Sequence, residues 1–216
     1  RVLDVACGTG EILRRLRAEL PPAFLCGIDI FQGHLLRASR PVVKGDAFEL
    51  PFREGSFDLV LVRHVLQAVA HPVALLKQAH RVLRDGGRIH LLVEDYAALF
   101  FDVEDDTVAE FFRDVTPRFR RKGTDLYQGR RAFRHLLEAG FRDVAVDPVL
   151  VDNQTSDRET FASIFRYWRD GYAATIAELL GVPEAEVRRR FDGMIGACLD
   201  PGRHASWLLF AIGARR

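Results

Sequence analysis

The chain has 216 residues, long enough to bury a sizeable core, and its 48% hydrophobic and 28% charged content excludes a disordered or collagen-like polymer. With 31 Lys and Arg against 30 Asp and Glu, the formal net charge of +1 excludes a partner selected by bulk charge, whether nucleic acid or an anionic membrane. No apolar run approaches the roughly 18 residues of a membrane-spanning helix, and Cys7, Cys26 and Cys198 lack metal-ligand spacing, so they read as reduced, mostly buried thiols of a cytoplasmic protein.

The first element, VLDVA (2–6), is strand-like; the chain opens on it without an initiator methionine, so a preceding N-terminal segment is expected. Gly8-Thr9-Gly10 then lead into EILRRLRAEL (11–20), which has helical periodicity. FLCGIDIF (24–31) predicts a second strand, QGHLLRAS (32–39) a short helix, PVVKGD (41–46) a third strand and FELPFREGS (48–56) a loop. FDLVLV (57–62) is almost purely apolar, as a strand covered on both faces should be. HPVALLKQAHRVLRDGGR (71–88) predicts a helix with Val73, Leu76, Ala79 and Leu83 on one side, stopped by Gly86-Gly87. RIHLLVEDY (88–96) is the fifth strand. Helices are predicted over 103–115 and 127–140, a strand with Pro148, hence near an edge, over 141–151, a helical insertion over about 156–198, and a last strand over 204–216.

This alternation predicts an α/β fold: a doubly wound, mostly parallel seven-stranded sheet with helices on both faces. It reads as one domain over 1–216, with a ligand-binding half at 1–96 and a second half at 97–216 that carries the insertion. The turn between the first strand and helix narrows the ligand. Gly8-X-Gly10 is followed at the third fingerprint position by Leu13, which disfavours a nicotinamide site, and no Gly-Lys-Ser/Thr follows to make a phosphate loop.

Asp-X-Ala-Cys-Gly-Thr-Gly (4–10) closely resembles the class I S-adenosylmethionine-dependent methyltransferases, in their small-molecule, type 11 branch. GDAFELPF (45–52), FDLVLVRHVLQAV (57–69) and HRVLRDGGRIHLLVED (80–95) continue the resemblance, with Asp85 where the family writes proline. The resemblance covers about 1–96 and implies a Rossmann-like fold that binds S-adenosylmethionine. It places Asp4, Ala6, Gly8 and Gly10 at the turn, Asp29 on the ribose hydroxyls with Ile30 beside it, Asp46 and Ala47 at the adenine, and Arg63 near the methionine part. A carboxylate suits the ribose because it offers only acceptors to two hydroxyl donors.

A methyl on sulfonium is already activated, so alignment of a nucleophile and exclusion of water are the main demands, with a general base added for some acceptors. His64, after the fourth strand, is the candidate base. Phe161, Phe165, Trp168 and Tyr172 recur at helical spacing in the insertion, either as ordinary core or as a lid over an apolar substrate. Tyr96, Phe165 and Trp168 are the candidate substrate residues. Adjacent Glu94 and Asp95 point to opposite faces of a strand, so no metal is expected. The basic runs Arg118–Lys122 and Arg188–Arg190 read as solvated faces, and Arg63-His64-Val65-Leu66 is not the Asn/Asp-Pro-Pro-Tyr/Phe of base-nitrogen methyltransferases, so nucleic acid is disfavoured. The expected activity is methyl transfer to a small, aromatic or apolar molecule. The alternatives are an RNA or protein methyltransferase, or a cofactor-binding fold acting as partner subunit or cyclase.

Overall fold

The computed structural model describes residues 1–20, 23–38 and 41–216. Among these described residues lie seven strands: β1 (Val2–Val5), β2 (Leu25–Asp29), β3 (Val42–Lys44), β4 (Phe57–Arg63), β5 (Leu83–Phe101), β6 (Arg142–Asp152) and β7 (Ala205–Arg215). They form one sheet in the order β3-β2-β1-β4-β5-β7-β6. β1 pairs in parallel with β2 and with β4, and β2–β3 and β4–β5 are parallel too. This is the Rossmann-like arrangement the alternation predicts, and β6, with Pro148, lies at the edge.

The chain divides into two compact units, each assembled from separated stretches: Arg1–Val93 with Arg130–Asp147 and Phe210–Arg216, and Glu94–Gly129 with Pro148–Leu209. In the first unit, side chains alternate across the strands and both faces are covered, which is why β4 reads as continuously apolar. Val60 and Val62 face a core built with Leu75, Leu76, Ala79 and Val82 of α3 (Pro72–Val82) and Leu136 of α6 (Ala132–Glu138). Leu59 and Leu61 face the opposite side, with Leu13 of α1 (Glu11–Glu19) and Leu35 of α2 (Gln32–Leu35). The expected helix over 32–39 is thus shorter, and its Ser39 lies outside the described residues.

The helix expected to run to Gly86 instead ends at Val82, because Leu83 pairs with Phe57 and begins β5. The register then shifts between Phe57 and Leu59, whose partner is Arg88, so residues 84–87 form a bulge. That bulge requires glycine: a Cβ on Gly87 would lie 2.8 Å from the Arg84 carbonyl oxygen, and Gly86 sits at φ 71°.

In the second unit the expected helix over 103–115 is broken at Glu110 into α4 (Asp106–Ala109), capped by the Asp105 carboxylate, and α5 (Phe111–Arg121). Residues 127–129, expected to start a helix, are not helical; the segment 126–129 instead bonds along β5, where the Tyr96 amide donates to the Leu126 carbonyl at 3.0 Å and the Gly129 amide to that of Glu94 at 2.8 Å. The insertion is a hairpin of α7 (Arg158–Leu180) and α8 (Glu184–Leu199), joined through Gly181 at φ 70°. Asn153 ties its far end together. The Asn153 Nδ2 donates to the carbonyls of Ala197, Cys198 and Arg203 at 3.0–3.2 Å, while its Oδ1 accepts from the Ala205 amide at 3.1 Å. The basic run on α8 is neutralised locally, Arg188 by Glu184 at 2.7 Å and Arg189 and Arg190 by Glu186 at 2.8 and 2.9 Å.

Candidate cofactor and acceptor site

Ligands of open α/β sheets bind beyond the carboxyl ends of the strands where the order reverses, here between β1 and β4. Both strands end abruptly there. Ala6 and His64, the first residues beyond them, each adopt φ 56°, a left-handed conformation that non-glycine residues rarely hold outside functional turns. Gly8 at φ 55° and Gly10 at φ 72° continue the turn, and Gly10 starts α1 with no side-chain cap.

Asp29, at the end of β2, fastens this turn. Its Oδ2 accepts from the Gly8 amide and its Oδ1 from the Phe31 amide, both at 2.8 Å, and its side chain is almost entirely buried. A carboxylate has about four lone-pair positions. Acceptor capacity for two hydroxyls therefore remains. Close approach of the turn to β2 depends on Gly27, where a Cβ would lie 2.6 Å from Cys7 Sγ and 2.8 Å from Leu13 Cδ1. A glycine inside a strand is the sequence signal for such an approach. Gly27→Ala is expected to destabilise the protein by about 2 kcal/mol through overpacking and to weaken ligand binding at the turn. Paired urea melts and ligand titrations check it, and unchanged values in both would show that the turn has slack.

A cavity of about 370 Å³ lies in the first unit, and Ala6, Gly8, Asp29, Ile30, Asp46, Ala47 and His64 line it. Residues from four separate strand ends thus meet in one place. Asp46 is held by its own turn, its Oδ1 accepting from the Phe48 amide at 2.9 Å. Phe31, His34 and Phe48 also line the cavity and escaped the sequence reading. Ile30 and Phe31 are 55% and 65% exposed, so their apolar surfaces are open to a ligand in the cavity. His34 stands over Phe31 with ring centroids 5.5 Å apart and its Nδ1 3.7 Å from Asp29 Oδ1.

Asp4, Gly10 and Arg63 do not line this cavity. Asp4 is 1% exposed, and burial pushes its carboxyl up to about 6, opposed by Arg63 and reinforced by the Asp29 charge. The Cys7 thiol below the turn is raised to about 12 by burial and by the charges of Asp4 and Asp29.

The remaining candidates belong to the second unit. Phe161 and Phe165 are buried core residues of α7, whereas Tyr172, expected on the same stripe, is exposed. Trp168 stacks on Tyr96 with centroids 5.1 Å apart and an interplanar angle of 27°, and meets Phe112, Phe165 and Trp207 edge-on. Burial raises the Tyr96 phenol well above its usual range, with Glu94 adding to the effect. Trp207 Nε1 and Gln128 Oε1 are buried without a hydrogen-bond partner, a costly state for a donor and an acceptor.

A family model described as a methyltransferase domain matches residues 3–91. An uncharacterized 37.1 kDa protein in transposon TN4556 of Streptomyces fradiae is 37% identical over 169 residues, 72% of this chain and 48% of that protein. The chain thus spans about half the length of that relative. Demethylmenaquinone methyltransferase of Staphylococcus aureus is 31% identical over 170 residues, covering 68% of this chain and 69% of the relative. Among solved structures, the cyclase SpnF superposes with a TM-score of 0.58 and 21% identity over 100% of this chain and 75% of that one, a likeness of fold. No helix among the described residues is long and apolar enough to cross a membrane.

Proposed function

This chain belongs to the class I S-adenosylmethionine-dependent methyltransferases, and we propose that it methylates a small, aromatic or otherwise apolar acceptor. The observation that carries the cofactor reading is the Asp29 carboxylate, which braces the glycine turn through Gly8 while lining the cavity. The residues fit an adenosyl group: Asp29 for the ribose hydroxyls, Asp46 and the Ala47 backbone for the base, and Ile30 with Phe31 for its faces. When bound, the cofactor supplies a methyl activated by positive sulfur.

What the chain itself contributes is shelter and placement. Ile30 and Phe31 keep water from the adenosyl group, and the left-handed backbone at Ala6 and His64 leaves the strand ends open to a ligand. His64 takes a proton from the acceptor where the acceptor has one to lose. Within the second unit, Tyr96 and Trp168 stack on one another and Phe165, which has no exposed surface, backs them, an aromatic cluster whose chemistry suits a planar ligand. The Staphylococcus aureus relative, named for demethylmenaquinone, supports the same class of acceptor.

The test is turnover. Incubation with S-adenosylmethionine and a panel of phenols, quinols and aryl amines should release S-adenosylhomocysteine with at least one of them. Tight cofactor binding with no turnover on small molecules, but turnover on RNA or a protein, would displace this reading of the acceptor.

A further inference from the structure

The side of the cavity that faces the base is carried by a segment without regular structure. Residues 45–56 lie between β3, which ends at Lys44, and β4, which begins at Phe57, and belong to no helix or strand. Asp46, Ala47 and Phe48 of this segment line the cavity. They form one tight turn, in which the Phe48 amide donates to Asp46 Oδ1 at 2.9 Å and the Glu49 amide to the Asp46 carbonyl at 3.2 Å. On the β3 side the turn is anchored by the Gly45 amide, which donates to the Asp29 carbonyl at 3.1 Å.

Arg81, on α3, anchors the other side. Its Nη2 donates to the Leu50 carbonyl at 2.7 Å and its Nη1 to the Phe52 carbonyl at 2.8 Å. Gln78, one turn earlier on the helix, braces this fork, its Oε1 accepting from Nη2 at 2.9 Å and from Nε at 3.2 Å. Carbonyls of a segment outside any ladder need donors, and a planar guanidinium supplies two at a fixed spacing that an ammonium cannot reproduce. The Arg81 main chain holds the segment at a separate point, its carbonyl accepting from the Gly55 amide at 3.2 Å and from Arg216 Nη1 at 3.1 Å. A change of the side chain therefore releases the half of the segment next to the cavity and leaves Gly55 tied down. Arg81 itself does not line the cavity.

We infer that Arg81 is a positioning residue for the base: acting through the Leu50 and Phe52 carbonyls, it holds Asp46 and Ala47 where they select adenine. This rests on the cofactor reading above. Asp46 offers acceptors to the 6-amino group of adenine, and the Ala47 amide offers a donor to its N1. Hypoxanthine reverses both, because its 6-oxo group is an acceptor and its N1 carries a hydrogen. Such selection needs the turn at a defined place, so it depends on the anchors of the turn, whereas the ribose contact belongs to Asp29 on β2. An arginine that only fastened α3 to a surface loop would leave the choice of base untouched.

The experiment titrates S-adenosylhomocysteine and its 6-oxo analogue S-inosylhomocysteine by calorimetry into the parent chain, Arg81→Gln, Arg81→Lys and Gln78→Ala. The parent chain is expected to prefer S-adenosylhomocysteine by on the order of 10- to 100-fold, the span of one hydrogen-bonded charge contact. Arg81→Gln should cut that preference to about threefold or less, by weakening S-adenosylhomocysteine, and Arg81→Lys, which reaches one carbonyl at a time, should keep part of it. Gln78→Ala leaves the guanidinium present but unbraced and should lose a smaller part. An Arg81→Gln variant that weakens both ligands alike and keeps the parental preference has lost only structure, and it overturns the inference. Should loss of the guanidinium unfold the chain, Gln78→Ala carries the test, and full parental preference in that variant overturns the inference as well. Equal affinity of the parent chain for the two ligands removes Asp46 from the base and the inference with it. If the parent chain binds neither, the cofactor reading itself falls, an outcome distinct from binding without discrimination.

Discussion

An Asp29→Ala variant is expected to bind S-adenosylhomocysteine about 100-fold or more weakly than the parent chain. Each ribose hydroxyl donating to a carboxylate contributes about 1.5–3 kcal/mol, and about 1.4 kcal/mol is a factor of ten in affinity. A second effect acts in the same direction. The Gly8 amide donates to this same carboxylate at 2.8 Å, so alanine also frees the turn that the adenosyl group must contact. Asp29→Asn separates the two contributions, because it retains one carbonyl acceptor but puts donors where a hydroxyl or the Gly8 amide already donates. Its affinity should fall between the two. Titration calorimetry on all three proteins measures this, and an alanine variant within threefold of the parent would remove Asp29 from the ribose and leave it only its bracing of the turn.

The position of Asp29, at the end of β2 and lining the cavity, was legible through the resemblance to the methyltransferases, which implies an acid at the end of the second strand. The sheet was legible from the residues themselves. Strands covered on both faces are apolar throughout, and both faces of β4 are covered. The start of β5 was not legible, because Val73, Leu76, Ala79 and Leu83 keep helical spacing past the true end of α3. What ends the helix is the pairing of Leu83 with Phe57, a contact that no local pattern encodes. Tyr172 has the same spacing as the buried part of its stripe but is exposed, and spacing alone cannot tell where a neighbour stops. Phe31 and His34 escaped because exposed residues in and just before a four-residue helix carry no periodicity. The pairing of Asp4 with Arg63 escaped because it depends on the β1–β4 register, in which Val5 stands opposite Val62.

Asp4 also has a consequence for stability. Its carboxyl is raised from 3.8 to about 6, first by burial, with Arg63 opposing and Asp29 reinforcing. The folded protein therefore holds this proton more tightly than the unfolded chain does. The stabilisation is fully present below pH 3.8 and is lost as pH rises through 6. Two pKa units correspond to about 3 kcal/mol, so the native state should lose up to that much from this one group between pH 4 and 7. Asp4→Asn cannot titrate and should be the more stable protein at pH 7.5, by about 2–3 kcal/mol or roughly 4–10 °C in Tm for a chain of this size. Other groups titrate as well, so the informative quantity is the difference between the two proteins. His80, His90 and His135 are lowered, chiefly by burial, and act in the opposite direction, with stability lost as pH falls below 6.5. Asp58, Asp105 and Glu186, held near 2 by hydrogen bonds, act only at lower pH. Both proteins share all of these, and they cancel in the difference to the extent that they are independent of residue 4. Urea melts at half-unit steps from pH 4.5 to 7.5 should therefore show the variant's advantage growing as pH rises. A constant difference would mean that the Arg63 charge outweighs burial and keeps Asp4 ionised throughout. The growing difference instead makes Asp4 a buried acid whose ionisation destabilises the fold at neutral pH.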